Sequence, residues 1–126
     1  MCPVERDPLT AQIIGAAIKV HRRLGPGLLE STYEQCLTWE LVRRRLRIKR
    51  QVPVTLAYDG FVVSDAYRLD LLVEERVVVE VKAVEKLNSV HHAQLLTYLK
   101  LSGYPVGLLL NFHELVLRDG IKRFVM

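Results

Sequence analysis

An α/β fold of the α+β-like kind, a mixed central β-sheet flanked by helices, is what this 126-residue sequence predicts. Three observations carry that expectation. Two segments in the first third of the chain hold apolar residues at helical spacing. A Val- and Leu-rich block follows, punctuated by turn signals, and a third helical stretch then separates it from two short apolar runs. The order helix, helix, strands, helix, strand, strand fits one domain over residues 1–126, with no internal repeat, linker or boundary.

Leu9 to about Leu24 is expected to be helical, with Ile13, Ala17, Val20 and Leu24 on one face and Lys19, Arg22 and Arg23 off it. Asp7 or Thr10 is placed to cap its start, and Gly25-Pro26-Gly27 is a hard break. A second helix is expected from about Leu29 to Arg45, with Tyr33, Leu37 and Leu41 on its buried stripe. Residues 48–58 read as extended, Asp59-Gly60 as a turn, and strands follow near Phe61–Ser64, Tyr67–Val73 and Val77–Lys82. Asn88 or Ser89 can cap a third helix that runs to about Ser102 and closes at Gly103. Val106–Asn111 is a short apolar strand, and Asp119-Gly120 marks a turn before Ile121–Val125.

Half the residues are apolar and a quarter charged, an ordinary balance for a chain that folds around its own core. No apolar run approaches the roughly 20 residues needed to cross a bilayer. The start, Met1 to Asp7, lacks the basic and apolar blocks of a secretion signal, so the cytoplasm is the expected compartment and no membrane contact is foreseen. Cys2 and Cys36 have neither metal-ligand spacing nor the number for a disulfide scaffold. The net charge is +4, and Arg43-Arg44-Arg45-Leu46-Arg47-Ile48-Lys49-Arg50 concentrates much of the positive charge. Such a run attracts phosphate backbones, and it equally suits a helix C-terminus or a solvated face.

The residues with most chemical content lie in one hairpin, Arg68 to Lys82. If Glu74-Glu75-Arg76 forms the turn, Val73 pairs with Val77 and Asp70 falls opposite Glu80. Glu80 and Lys82 then share a face with Asp70, while Val77, Val79 and Val81 take the other. Two opposed carboxylates on an apolar hairpin repel, and a hard divalent cation would compensate them. Lys82 could orient or deprotonate an attacking water and balance phosphate charge; the plainer alternative is an ion pair neutralising the two acids. On the third helix His91, Gln94 and Tyr98 share a face that could edge the same pocket, with Gln and Tyr able to bind phosphate or, for Tyr, to stack on a base. Glu30 and Tyr33 lie one turn apart at the start of the second helix. There Glu30 either complements the helix dipole or adds an oxygen ligand. His21 is isolated and is expected to be a packed or surface residue rather than a ligand. No phosphate-cradling glycine loop, zinc-type array or nucleophile elbow is present.

Gly27-x-x-Glu30-x-x-Tyr33 resembles the signature of the GxxExxY proteins, a prokaryotic family placed in the PD-(D/E)XK nuclease superfamily. The resemblance extends from Val20-His21-Arg22-Arg23-Leu24-Gly25-Pro26-Gly27 through Tyr67-Arg68-Leu69-Asp70, Glu80-Val81-Lys82 and His91-x-x-Gln94-x-x-x-Tyr98 to Gly107-Leu108-Leu109-x-Asn111-Phe112. It implies a PD-(D/E)XK nuclease-like core, with Asp70 as the metal-binding Asp and Glu80 and Lys82 as the (D/E)xK element. Gln94 and Tyr98 match the Gln-x-x-x-Tyr element of the recombination-type exonuclease branch, in which an early helical Glu, here Glu30, completes the site. Leu69 stands where the family pattern has Pro.

The resulting expectation is a Mg²⁺- or Mn²⁺-dependent nuclease that hydrolyses phosphodiester bonds of nucleic acid, with DNA as the expected polymer. Asp70, Glu80, Glu30 and the Val81 carbonyl would hold the metal, and Lys82 would act on the water. Gln94, Tyr98, Tyr33 and His91 would face the substrate. The alternative is a non-catalytic nucleic-acid-binding or partner-dependent subunit that keeps the fold. So small a domain has little surface for substrate selection, which leaves room for a homodimer or a protein partner.

Overall fold

The structure, a computed structural model, describes residues 7–126; Cys2 and most of the segment read for a secretion signal lie outside the described residues. Helix α1 spans Pro8–Leu24. Asp7 settles the choice of cap: its side chain accepts the Leu9 N–H at 3.0 Å, and the Thr10 hydroxyl donates to its other oxygen at 3.1 Å. Pro8 occupies the first helical position, where no N–H is needed. Helix α2 spans Glu30–Arg43, shorter at both ends than expected, because Leu29 is an extended cap and Arg45 takes a left-handed φ of 63°.

Strand β1 is Ile48–Tyr58 and β2 is Phe61–Val73. The two strands expected over the β2 region are one. The polar break at Ser64-Asp65 is absorbed as an irregularity, with Asp65 at φ 57° and the β1–β2 register slipping between Val54 and Leu56. Strand β3 is Val77–Lys82, α3 is Ser89–Ser102, β4 is Val106–Asn111 and β5 is Ile121–Val125. Asn88 caps α3 and Gly103 closes it at φ 83°. The Asp119-Gly120 turn is the end of a short 3-10 helix, Leu117–Gly120.

The strands form one mixed sheet in sequence order, β1 to β5, with β3 and β4 parallel and every other neighbour antiparallel. Only the β3–α3–β4 step needs a crossover, and α3 supplies it. An α/β fold with helices on both faces is therefore what the chain adopts. One core joins α1 and α2 to the sheet through Ile13, Val20, Tyr33, Leu37, Val77, Val79, Val81 and Leu108. The other joins α3 through Leu69, Leu72, Val78, Leu95, Leu99 and Leu109. Among the described residues no helix is long and apolar enough to cross a membrane.

Gly107 sets the depth at which α3 sits on β4. A Cβ there would stand 3.0 Å from Cδ1 of Leu95 and of Leu99, both 1% exposed and without room to retreat. Gly107→Ala is expected to lower stability by about 1–3 kcal/mol through overpacking. Urea unfolding of parent and variant reads that difference as a drop in midpoint.

Candidate active site

The hairpin register is the expected one: Val73 pairs with Val77, Leu72 with Val78 and Leu71 with Val79. Glu74 and Glu75 both take positive φ, as a tight hairpin turn requires, and the Arg76 N–H closes onto the Val73 carbonyl at 3.0 Å. Continuing the register one step brings Asp70 opposite Glu80, and there the ladder gives way to side chains. The Asp70 N–H donates to Oε2 of Glu80 at 3.0 Å, and the Val81 N–H donates to Oδ2 of Asp70 at 2.9 Å. Each carboxylate thus satisfies a backbone donor of the opposite strand, and the two acids are held side by side.

The alternation of side chains changes phase at the same point. Ile48, Leu71 and Val73 pack with the α1/α2 core, whereas Val52, Val54, Tyr67 and Leu69 pack with the α3 core. Gln51 lies between the two sets on β1 and takes a left-handed φ of 50°. Such a backbone costs a non-glycine residue about 1–3 kcal/mol and gathers at functional sites. The amide of Gln51 is tied to Glu34 at 3.0 and 3.1 Å and reaches Oδ1 of Asp70 at 3.4 Å.

Electrostatically the pair is under load. Burial, then the neighbouring Asp70 charge, push the Glu80 carboxyl up to about 8. Asp70 is also raised, first by burial and further by Glu34, against the pull of the Val81 N–H and the Lys82 charge. Oε1 of Glu80 receives no protein hydrogen bond among the described residues, and Oδ1 of Asp70 has only the long contact to Gln51. Two neighbouring carboxylates, each with an oxygen short of donors, are suitable ligands for a hard cation. Among the described residues no group of three or more His, Cys, Asp or Glu is gathered to hold a metal. A cation would therefore rest on this pair, with the Val81 carbonyl, water and phosphate oxygens completing its shell, as suits Mg²⁺.

Lys82 follows Glu80 on the same face and is half-buried. Its Nζ donates to Oε1 of Gln94 on α3 at 3.1 Å, and no carboxylate lies within ion-pairing distance of it among the described residues. The ion-pair alternative raised by the sequence is thus not what the side chain does. Gln94 also bonds to Tyr98, whose ring stacks on Tyr67 with centroids 4.3 Å apart. Burial raises the Tyr98 phenol, and the Glu80 and Asp70 charges raise it further.

The remaining candidates are placed differently. Glu30 opens α2, and its Oε2 accepts the Ala83 N–H at 3.3 Å, one residue beyond Lys82, at the rim. Tyr33 does not face a substrate: it is 0% exposed, stacks on Phe112 at 4.6 Å and hydrogen-bonds through its hydroxyl to Gly25 and Leu28. It fastens the glycine break to α2. His91 spends Nδ1 on the Asn88 N–H at 3.1 Å within the cap of α3. His21 is packed, with Nε2 2.7 Å from the Glu114 carbonyl.

Glu34 is what sequence reasoning missed. It is 7% exposed, bound by Arg50 and Gln51, and its charge acts on both Asp70 and Glu80. The available signal was its place one turn after Glu30, bordering the stripe of Tyr33, Leu37 and Leu41. The basic run is largely spoken for: Arg43 pairs with Glu40, Arg47 with Glu74, Lys49 with Glu75 and Arg50 with Glu34. Arg44 bonds the Gln12 carbonyl.

A family profile described as the PD-(D/E)XK nuclease superfamily matches residues 7–124. No curated protein and no solved structure matches the chain.

A Glu80 carboxyl ordinarily at 4.5 and pushed up to about 8 makes the folded state the better proton binder. That stability is fully present below about pH 4.5 and is lost as pH rises to about 8. The thermal midpoint of the protein in EDTA is expected to fall over that interval. Glu80→Gln keeps an oxygen for the Asp70 N–H while removing the charge, so its midpoint at pH 8 should exceed the parent's by a few degrees, on the order of 1 kcal/mol. At pH 4.5 the two should coincide; equal slopes across the range would remove the buried charge pair from the account.

Proposed function

The chain belongs to the PD-(D/E)XK nuclease superfamily, and on that premise we propose that it is a Mg²⁺- or Mn²⁺-dependent phosphodiesterase that cuts nucleic acid, DNA before RNA. Nucleases of this superfamily generally use divalent metal ions. The observation that carries the reading is the crossed pair of carboxylate-to-backbone bonds at Asp70 and Glu80, with Lys82 beside them and unpaired to either acid.

Asp70 and Glu80 would hold the cation through their unsatisfied oxygens, with the Val81 carbonyl adding a ligand. When bound, the cation supplies Lewis-acid charge at the scissile phosphate and a more acidic water. Lys82, held at Nζ by Gln94, would orient an attacking water and balance the charge that grows on the phosphate. Glu30, whose Oε2 accepts the Ala83 N–H, would have its other oxygen free to hold a water beside the cation. Tyr98 and Gln94 form the α3 wall against which substrate lies.

Within the superfamily, the Gly27-x-x-Glu30-x-x-Tyr33 pattern supports placement among the GxxExxY proteins. The three residues share one task in the fold: Gly27 turns the chain at φ 105°, Tyr33 ties down the loop, and Glu30 joins α2 to the end of β3.

The test incubates parent and Lys82→Ala with labelled single- and double-stranded DNA and RNA in Mn²⁺, Mg²⁺ or EDTA. Metal-dependent cutting in the parent is expected to fall by about 10²-fold or more in the variant, with circular dichroism unchanged. Cutting that survives Lys82→Ala would assign the activity to another site or a contaminant. Binding without cutting, equal in EDTA and Mn²⁺, would make the chain a binding subunit. Gln94→Ala, which releases Lys82 without removing it, should lower the rate about tenfold and leave Mn²⁺-induced thermal stabilisation intact; Asp70→Asn should abolish that stabilisation.

A further inference from the structure

We infer that a second copy of this chain fills the groove between α1 and α2 with the tip of its β1–β2 hairpin, so that two chains close into a dimer by reciprocal insertion. The inference is independent of the nuclease reading. The groove is a cleft of about 430 Å³ floored by Val20, Leu24, Cys36 and Trp39. Trp39 is 65% exposed there, unusual for a side chain that contributes so much when covered. Lys19, Arg23 and Arg43 rim the groove against a single acid, Glu40. One oxygen of Glu40 serves both Lys19 at 3.1 Å and Arg43 at 3.2 Å, so Arg23 has no acidic partner among the described residues.

The complementary feature lies on the same molecule. Strand β3 pairs with β2 only from Leu71 to Val73, so beyond that point β1 and β2 run outward as a two-stranded ribbon. Such a ribbon is marginal in water unless something covers it. Its base is covered by α3, through Val52, Val54 and Tyr67. Its tip is bare: Tyr58 and Phe61 are register partners, 72% and 67% exposed, Val62 is 59% exposed, and Asp59 turns between them without an ion-pair partner among the described residues.

An apolar tip carrying one unpaired acid thus faces, in chemical terms, an apolar groove carrying one unpaired base. Groove against groove would oppose two basic rims, and tip against tip would oppose two Asp59 carboxylates, so tip into groove is the favourable combination. The apolar floor selects a ring or a Val over a phosphate. Reciprocal insertion makes two identical contacts about a two-fold axis, which closes rather than running into a filament. None of Asp70, Glu80, Lys82 or Gln94 lines the groove, so the groove and the carboxylate site share no residue among these.

Sedimentation velocity on the full chain tests this. The parent is expected to dimerise at concentrations on the order of 100 µM or below. Phe61→Ser and Trp39→Ala, both at exposed positions, should each weaken the dimer about tenfold or more without changing the far-UV spectrum. Asp59→Lys and Arg23→Glu should each weaken it alone, and the double variant should recover it. In a Cys2→Ser background, Phe61→Cys should cross-link to Cys36 of the other copy. A parent that stays monomeric, or a dimer indifferent to both Phe61→Ser and Trp39→Ala, overturns the proposal.

Discussion

Two carboxylates held side by side at the end of a β-hairpin set the terms for everything around them. At Asp70 and Glu80 the β2–β3 ladder stops exchanging backbone hydrogen bonds, and each acid takes the N–H of the other strand. That crossing fixes where each oxygen points, because a displaced acid would leave a half-buried N–H unpaired. It also brings like charges together where burial already disfavours them, so Glu80 is pushed up to about 8. The two backbone N–H groups are thus satisfied, while one oxygen of each acid stays short of donors and the paired charge stays unrelieved. The Lys82 charge offsets this in part for both acids, but its Nζ is bonded to Gln94 and pairs with neither.

The rest of the fold supplies what that arrangement requires. The Val77, Val79, Val81 stripe anchors β3 in the α1/α2 core, which leaves Glu80 and Lys82 to the opposite face. The parallel β3–β4 pair puts the carboxyl ends of both strands at one edge, where ligand sites of α/β sheets form. Asn111, at the end of β4, clamps the chain leaving β3 by bonding both the N–H and the carbonyl of Val84. Helix α3 returns over that edge and delivers Gln94 to Lys82. From the other face α2 contributes Glu34, whose carboxylate is shared by Arg50 and Gln51, and Gln51 carries the contact on to Asp70. Both helices therefore brace the same acids through intermediaries, with the charge of Glu34 raising their proton affinity and that of Lys82 lowering it.

Much of this was legible in the sequence, for reasons that particular residues show. Period-two runs of Val and Leu with charged turns between them fix a hairpin register, so the Asp70–Glu80 opposition could be counted out from Glu74-Glu75-Arg76. Capping residues and glycines marked the ends of α1 and α3. What was not legible depended on partners distant in sequence. The break at Ser64-Asp65 looks like the end of a strand until β1 is present to carry it through as an irregularity. Tyr33 and Glu30 share a motif and one face of α2, yet one is sealed against Phe112 and the other sits at the rim. His91 shares a face with Gln94 but is taken by its own cap. Glu34 carries only the faint local mark of its place one turn after Glu30: its value arises from Gln51 and Arg50, on β1.

The contrast between the charges the fold resolves and those it leaves separates the framework from the sites. The run Arg43 to Arg50 is the densest positive charge in the sequence and would be the natural choice for a phosphate track, yet Glu34, Glu40, Glu74 and Glu75 each claim one of its members. The more exposed of these pairs, Arg47–Glu74 and Lys49–Glu75, contribute little to stability, but all four spend the charge, and what is paired at home draws a phosphate less strongly. Natural sequences break local rules where function requires it. By that standard the framework is the ion-paired α2–β1 corner. The departures are the strained Gln51, the crowded acids beside an unpaired lysine, and the aromatic hairpin tip with no cover of its own. The first two converge on one edge of the sheet, and the third lies nine residues before Asp70, at the start of β2. Their separation fits the two proposed occupants, a cation with phosphate at the sheet edge and a second copy at the ribbon, without either competing for the other's residues.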